Sequence, residues 1–401
     1  MPYYIGDVIK DERRMIARTP EKFEEAGIRV RLNTPVDAID APAGEVRLAG
    51  GERLPYDRLV MATGAAAVMP DVEGVDEAGV FVLRNLRDAM DIKAYIREKG
   101  CRKVLIVGAG FIAMEMSEGL AAIGVETAIV YRGKLPVRRW DPEFGTMVLS
   151  ELEGHAVSFL PERTLQGIER GADGRLRMHT SGGTLEGDII LLALGVRPDT
   201  VMAEQAGCAL GETGAIGVDE HLRTSQEGVY AAGDCCEAFH RVANRWVHVS
   251  MGDVANKQGR IAGRNIAGMA ATFPGIVGAQ SFKVFDLELG ATGLDEAGAR
   301  RAGFDPASAI VWGGPIANSL NVDKKKLGLK LVADRATGKL LGAQAIGNGG
   351  AVGRINTLSA CLWAGMTLED VALMDLAYAP PFGGAWDLVH IGAQVLKRKL
   401  P

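Results

Sequence analysis

Apolar positions along this chain fall into two rhythms, one of short buried runs and one of helical spacing. The clearest alternation lies between residues 100 and 131. A buried-strand run, Arg102 to Val107 (RKVLIV), leads into a glycine turn at Gly108 to Gly110. A helical stretch from Phe111 to Ile123 and a second strand, Glu126 to Tyr131, follow, which predicts one βαβ unit. Shorter strands are predicted on either side, Ile28 to Leu32 and Leu59 to Thr63 before it and Val229 to Ala232 after it, each ending near Gly or Asp. One sheet interrupted by an inserted domain explains that split. The run IILLALGVRP, Ile189 to Pro198, predicts a buried strand ending at Gly195. From about Ser281 onward, strands at Lys330 to Ala333 and Leu340 to Ala345 alternate with a helical stretch from Ile355 to Ala364, and this reads as a separate α+β domain. Lys324 to Lys326 read as a solvated turn.

Composition narrows the function classes. A chain of 401 residues is long enough for two or three domains. Its 52 glycines and few aromatics suit tightly turned α/β architecture. A formal net charge of -5 with scattered Lys and Arg gives no footprint for nucleic acid and no polybasic membrane patch, so small molecules are the expected partners. The longest apolar run, Ile189 to Gly195, falls short of a membrane span, and MPYYIGDVIKDERR lacks the apolar core of a signal peptide. A cytoplasmic location is expected. Cys101, Cys208, Cys235, Cys236 and Cys361 form no CxxC and no metal pattern with His, so no metal site is expected. Cys235 and Cys236 are adjacent and invite a redox reading. A vicinal disulfide strains the peptide between its cysteines, and buried thiols behave as small hydrophobes, so the packing reading is preferred.

Chemistry concentrates in the βαβ unit. Gly108, Gly110 and Ala113 form GxGxxA between a strand and a helix. In that context Gly108 permits the tight turn, Gly110 lets backbone approach a pyrophosphate, and Ala113 allows close helix packing, while the helix N-terminus stabilises phosphate charge. A nicotinamide dinucleotide is the expected cofactor. Where an acidic residue would hold the ribose of NADH, this chain has Tyr131 and Arg132, followed by Lys134, Arg138 and Arg139. These make either a pocket for the 2′-phosphate of NADPH, which is favoured over NADH, or a solvated basic loop. Glu115 is either a contact for the nicotinamide end or a favourable charge near the helix start. Gly195 is a position where backbone would line the same cofactor.

Two further signatures flank this block. LVMATGAAAVMPDVEG places Ala62, Thr63 and Gly64 at a strand end, and TSQEGVYAAGDCCE runs to Asp234, whose carboxylate can meet sugar-like hydroxyls. With ANKQGRIAGRNIAG, Ala255 to Gly268, they resemble the flavoprotein pyridine nucleotide-disulfide oxidoreductase family. MPYYIGDVI and MDLAYAPPFGGAWD resemble its CoA-disulfide reductase, NADH oxidase, NADH peroxidase and persulfide reductase branch.

The resemblance implies an α/β fold with two Rossmann-like, glutathione-reductase-like domains binding FAD and NAD(P), plus a C-terminal α+β dimerisation domain. The implied layout is an FAD-binding domain over 1–78 and 201–275, an NAD(P)-binding domain over 79–200 and a dimerisation domain over 276–401. It also implies that Asp234 binds the ribityl chain of FAD, that Ala62, Thr63 and Gly64 line the same site, and that the helix beginning near Met251 points at the flavin ring. Tyr378 would reach the active site of the partner in a homodimer as an acid and orienting group. The alternative is a structural tyrosine at a proline turn. The implied substrate is a small disulfide or persulfide, with a CoA-linked one favoured, and Arg14 and Arg18, beside Arg13, either pair with its phosphates or lie solvated.

The chain departs from the family pattern at its start. In the family, PYYIG follows almost directly after a redox cysteine and a first βαβ unit. Here no cysteine lies near Tyr3 and Tyr4, and no GxGxxG-type turn precedes residue 100. Met1 is therefore expected to be an internal methionine, and Leu59 to Thr63 is expected to expose apolar surface and unpaired backbone. Two other readings stay open. One is an NADH oxidase or peroxidase. The other is a flavin-free remnant that binds a nicotinamide nucleotide without redox activity.

Overall fold

Apolar runs closed off by glycine become the central strands of two sheets, and amphipathic stretches between them become the covering helices. The computed structural model describes all 401 residues. They group into two compact units, one of Met1–Glu12, Ala67–Gly195 and Val277–Pro401, the other of Arg13–Ala66 and Val196–Ile276. No helix is long and apolar enough to cross a membrane.

The first unit holds a five-stranded parallel sheet in the order Val80–Phe81, Ile189–Leu192, Lys103–Val107, Glu126–Val130, Ser158–Leu160. Its middle strands are buried nearly throughout, as continuous apolar runs in a sheet covered on both faces should be. The helix Leu86–Lys99 starts at a capping box, Asn85 with Asp88, and ends at Gly100 in the left-handed conformation. The helix Phe111–Ala122 follows the glycine turn directly. The same unit carries a five-stranded antiparallel sheet in the order Gln280–Val284, Leu287–Gly293, Leu340–Gly347, Leu327–Asp334, Pro306–Gly313. Helices Ala351–Ala364 and Leu388–Lys397 pack on its strands. A parallel α/β block and an antiparallel sheet with helices on it are thus both present, within one compact unit.

In the second unit, Leu59–Met61 and Val229–Ala231 form a parallel pair with no further strand on either side. Buried side chains including Met61, Ile216, Leu222, Ala231 and Val254 make its core. Two strand expectations need correction here. Ile28 to Leu32 is not a strand: it is irregular, with Ile28 51% and Leu32 64% exposed. No neighbouring strand accepts its backbone hydrogen bonds; the Ile28 amide donates instead to the Phe23 carbonyl at the preceding helix end. Leu59 to Thr63 is a strand only as far as Met61, and Val60 is 40% exposed on that lone pair, as the open sheet implies.

One expectation fails in the first unit as well. Ile189 to Pro198 is not a single strand. The buried segment stops at Leu192, the chain turns through Gly195 at φ +101°, and Val196–Pro198 is a separate short strand. The positive φ at Gly195 breaks the extended run that the hydrophobic pattern alone suggested.

Candidate functional site

The glycine turn is built so that its two glycines do different work. Gly108 sits at φ +115°, and a Cβ there would stand 2.3 Å from the Ala193 carbonyl oxygen, so only glycine fits. Gly110 is the N-cap of the helix Phe111–Ala122 at φ -91°, and a Cβ there would meet nothing within 4 Å. The fold does not demand glycine at 110; open space in front of the helix N-terminus is what its missing side chain leaves. Ala113 is fully buried under the first turn.

Glu115 lies in the second turn of that helix, half-buried. Burial raises its carboxyl pKa above the usual range; the Met1 amino group opposes the rise and Glu118 adds to it. Tyr131 follows the strand Glu126–Val130, with its amide on the Leu160 carbonyl and its ring against the position a Gly133 side chain would occupy. Arg132, Arg138 and Arg139 are exposed and carry no ion pair, whereas Lys134 stands 4.0 Å from Glu162.

The sequence reading missed the anchor of the MPYYIG segment. Pro2–Ile5 is a short helix, and Gly6 lies so close to Gly119 that a Cβ on it would be 2.6 Å from the Gly119 Cα. Lys93, only 4% exposed, donates to the Tyr4 carbonyl at 2.6 Å, pairs with Asp7 at 2.7 Å and lies over the Tyr4 ring. A signal for it was present: Lys93 falls in the apolar stripe Ala89, Ile92, Ile96 of its helix, where a lysine is expected only with a partner.

In the second unit, the ends of the two parallel strands bring the other candidates together. The Ala232 amide donates to the Met61 carbonyl, and Gly233, at φ +89°, donates to Gln258. Ala62 and Thr63 are exposed, Thr63 Oγ1 donates to the Asp199 carbonyl at 2.6 Å, and Gly64 turns at φ +73°. Asp234 is half-buried, and its backbone carbonyl lies 2.8 Å from His248 Nε2. Met251 caps the helix Gly252–Ile266, and a Cβ on Gly252 would meet nothing. Exposed strand ends, a half-buried carboxylate and an open helix N-terminus at the carboxyl edge of a parallel pair form a cradle of the kind that takes a nucleotide's sugar-like chain.

All five cysteines are free and buried. Burial pushes Cys101 up to about 11, with Asp188 adding to it, and raises Cys208 and Cys361. Cys235 is lowered, chiefly by its Cys236 neighbour against burial and with help from Gly64 and Thr63, and Cys236 is raised in turn. Both are closed to solvent, at 0% and 2% exposure, so neither meets an outside sulfur substrate directly.

Arg14 belongs to a single 3₁₀ turn, Glu12–Met15, and Arg18 to a bend; both are exposed and unpaired, and neither lies on a regular α-helix. Tyr378 projects from an irregular segment at 56% exposure.

An open parallel sheet with a glycine turn ahead of a helix defines a dinucleotide-binding α/β protein. Residues 5–259 match the family model described as pyridine nucleotide-disulphide oxidoreductase, and residues 279–389 match the dimerisation domain of the same family. The chain belongs to the pyridine nucleotide-disulphide oxidoreductase family. It is 36% identical over 397 residues to an NAD(P)H coenzyme A polysulfide/persulfide reductase of Pyrococcus horikoshii, covering 98% of this chain and 88% of that one. It is 32% identical over 415 residues to an NADH oxidase of Methanocaldococcus jannaschii, covering 100% and 90%. Among solved structures, an NAD-dependent persulfide reductase from A. fulgidus superposes with a TM-score of 0.94 at 34% identity, over 99% of this chain and 75% of that one. The family uses FAD and NAD(P)H, in agreement with the nicotinamide nucleotide expected from the glycine turn and with the FAD that the family resemblance implied.

Proposed function

We propose that the chain is a homodimeric, cytoplasmic NAD(P)H oxidoreductase with FAD as its second cofactor, reducing a disulfide or persulfide linked to CoA. The observation that carries this reading is the turn at Gly108 and Gly110, shaped to admit a dinucleotide, in a chain whose whole length resembles an NAD(P)H coenzyme A polysulfide/persulfide reductase. The domain division we propose is the three-block one, 1–78 with 201–275 for FAD, 79–200 for NAD(P) and 276–401 for dimerisation.

Backbone amides at the start of the helix Phe111–Ala122 hold the pyrophosphate, and the bare Cα of Gly110 lets it approach. The Glu115 carboxyl, raised by burial, faces the nicotinamide end, and Gly195 backbone lines the same cofactor. Asp234 and Thr63 hold the ribityl chain of FAD, Ala62 and Gly64 leave it room, and the helix N-terminus at Met251 faces the ring. FAD, when bound, supplies the hydride-accepting chemistry that passes electrons toward sulfur. Tyr378 of a second copy gives its proton to the departing thiolate.

Arg132 is the residue we expect to read the 2′-phosphate. Arg132→Ala is expected to raise the KM for NADPH about tenfold, the value of one lost guanidinium–phosphate contact, with the KM for NADH nearly unchanged. Steady-state kinetics with each nucleotide checks this, and equal shifts would return Arg132 to solvent. Replacing Arg14 and Arg18 together by alanine is expected to raise the KM for CoA disulfide several-fold, with the KM for the nicotinamide nucleotide unchanged. An unchanged value for CoA disulfide would remove both arginines from the substrate site.

The 32% identity over 415 residues to an NADH oxidase of Methanocaldococcus jannaschii favours a second reading, electron transfer to dioxygen. One experiment separates the two. Under argon, NAD(P)H consumption that depends on added CoA disulfide and releases free thiol supports the reductase; consumption only on admitting oxygen supports the oxidase.

A further inference from the structure

We propose that Arg354, Asp387 and His390 are positioning residues, a clamp that fixes the segment carrying Tyr378 so that its side chain is delivered to a second copy of this chain. The inference rests on the reading of Tyr378 given above and adds what holds that tyrosine in place.

The segment between Met374 and Asp387 has no helix or strand. It leaves Tyr378 at 56%, Phe382 at 78% and Trp386 at 58% exposure. A stretch so apolar and so irregular would sample many conformations unless its ends were fixed. Both ends are. At the far end, Arg354 Nε donates to Asp387 Oδ1 at 3.0 Å and Arg354 Nη2 to Asp387 Oδ2 at 2.6 Å, a bidentate pair. The same guanidinium donates through Nη1 to the Gly350 carbonyl and through Nη2 to the Pro315 carbonyl. Arg354 is only 8% exposed.

Asp387 is also the N-cap of the last helix, Leu388–Lys397, accepting from the Val389 amide at 3.0 Å. One carboxylate therefore ends the segment, starts the helix and closes the ion pair. At the near end, His390 in the first turn of that helix has its Nε2 2.9 Å from the Met374 carbonyl, while its Nδ1 accepts from the Asp387 amide at 3.2 Å. These partners match an Nε2 that donates and an Nδ1 that accepts. Between the two ends, the Ala317 amide donates to the Pro380 carbonyl, and a Cβ on Gly383 would stand 3.2 Å from Asp387 Oδ2.

The backbone on each side of Tyr378 is thus tied down while its hydroxyl makes no bond within the chain. That is the arrangement expected of a group that must reach another surface in a fixed geometry. The surface is a second copy of this chain, because the whole segment lies in the stretch that matches the dimerisation domain. Lysine cannot replace Arg354, since a single ammonium has no fork to engage both carboxylate oxygens and two carbonyls at once.

The test compares R354K, Y378F and the double variant in CoA-disulfide turnover by the FAD-loaded dimer, with hydrogen exchange of the backbone over 375–386. R354K is expected to lower kcat about tenfold through misplacement alone, to leave the KM for NAD(P)H and the dimer unchanged, and to speed exchange in that segment. In a Y378F background it is expected to change kcat no further. An equal loss in both backgrounds, or no loss in either, would overturn the clamp while leaving the reading of Tyr378 standing. If Y378F alone has no effect, or the native chain shows no disulfide turnover, the reading beneath fails and the clamp falls with it. Should R354K not fold, D387N, which keeps a cap acceptor and drops the charge, is judged by the same comparisons.

Discussion

Replacing Gly110 by valine is expected to weaken NAD(P)H binding about a hundredfold, close to 2.7 kcal/mol, by putting a side chain where the pyrophosphate approaches. The fold is expected to survive. A Cβ at Gly110 meets nothing within 4 Å and its φ of -91° suits any residue, so the cost is the loss of a good N-cap, about 1 kcal/mol or less. Gly108→Ala makes the contrasting control. Its Cβ would drive into the Ala193 carbonyl at 2.3 Å from a φ of +115°, so stability should fall along with binding. Quenching of protein fluorescence by added nucleotide, read beside thermal unfolding, separates the two. Gly110→Val with unchanged affinity would remove this turn from the nucleotide site.

The largest stability effect is expected at Lys330, which is 6% exposed and lies 2.5 Å from Asp141 and 2.7 Å from Glu296. The contact to Asp141 is an ion pair by distance, although Asp141 Oδ2 has no aligned hydrogen bond; the pair with Glu296 is aligned as well as close. Lys330→Met removes the cation and leaves two partly buried carboxylates facing each other, at a cost of about 3 kcal/mol. Denaturant unfolding of the two proteins checks this, and a loss below about 1 kcal/mol would mean that the methionine packs as well as the ion pair did.

The pH dependence of that network follows from its two shifts. Burial alone would lower the Lys330 pKa, but the neighbouring Asp141 and Glu296 carboxylates outweigh it and raise it. Its contribution is therefore full below the unfolded lysine value and lost as pH rises through the folded one. Glu296 is lowered, chiefly by its bond to Lys330, so its contribution is full above the unfolded carboxyl value and lost as pH falls through the folded one. Lys330→Met should thus differ most from the native chain near neutral pH and least at both extremes.

The elements that carry the candidate site were largely legible in the sequence, and the reason is local. GxGxxA needs only its own strand, turn and helix to state its purpose, and each lies where the apolar rhythm placed it within a residue or two. Ala62 to Gly64 and Asp234 were legible through family resemblance, and they meet because Leu59–Met61 and Val229–Ala231 pair in parallel. What stayed hidden depends on distant partners. The Lys93 anchor joins residues 4, 7 and 93, and the Arg354 clamp joins residues 315, 350, 354 and 387; no periodicity carries such pairings. Ile28 to Leu32 misled because alternation signals a strand only where a neighbour is present to accept its hydrogen bonds. The break at Gly195 was missed because a glycine inside an apolar run reads equally as strand or turn.

The most direct measurement is the visible spectrum of the purified chain mixed with FAD, freed of excess cofactor and titrated with NADPH under argon. A yellow protein whose flavin band bleaches on adding the nucleotide is the expected result. A colourless protein that retains no FAD, or a yellow one that NADPH and NADH both leave unbleached, would contradict it.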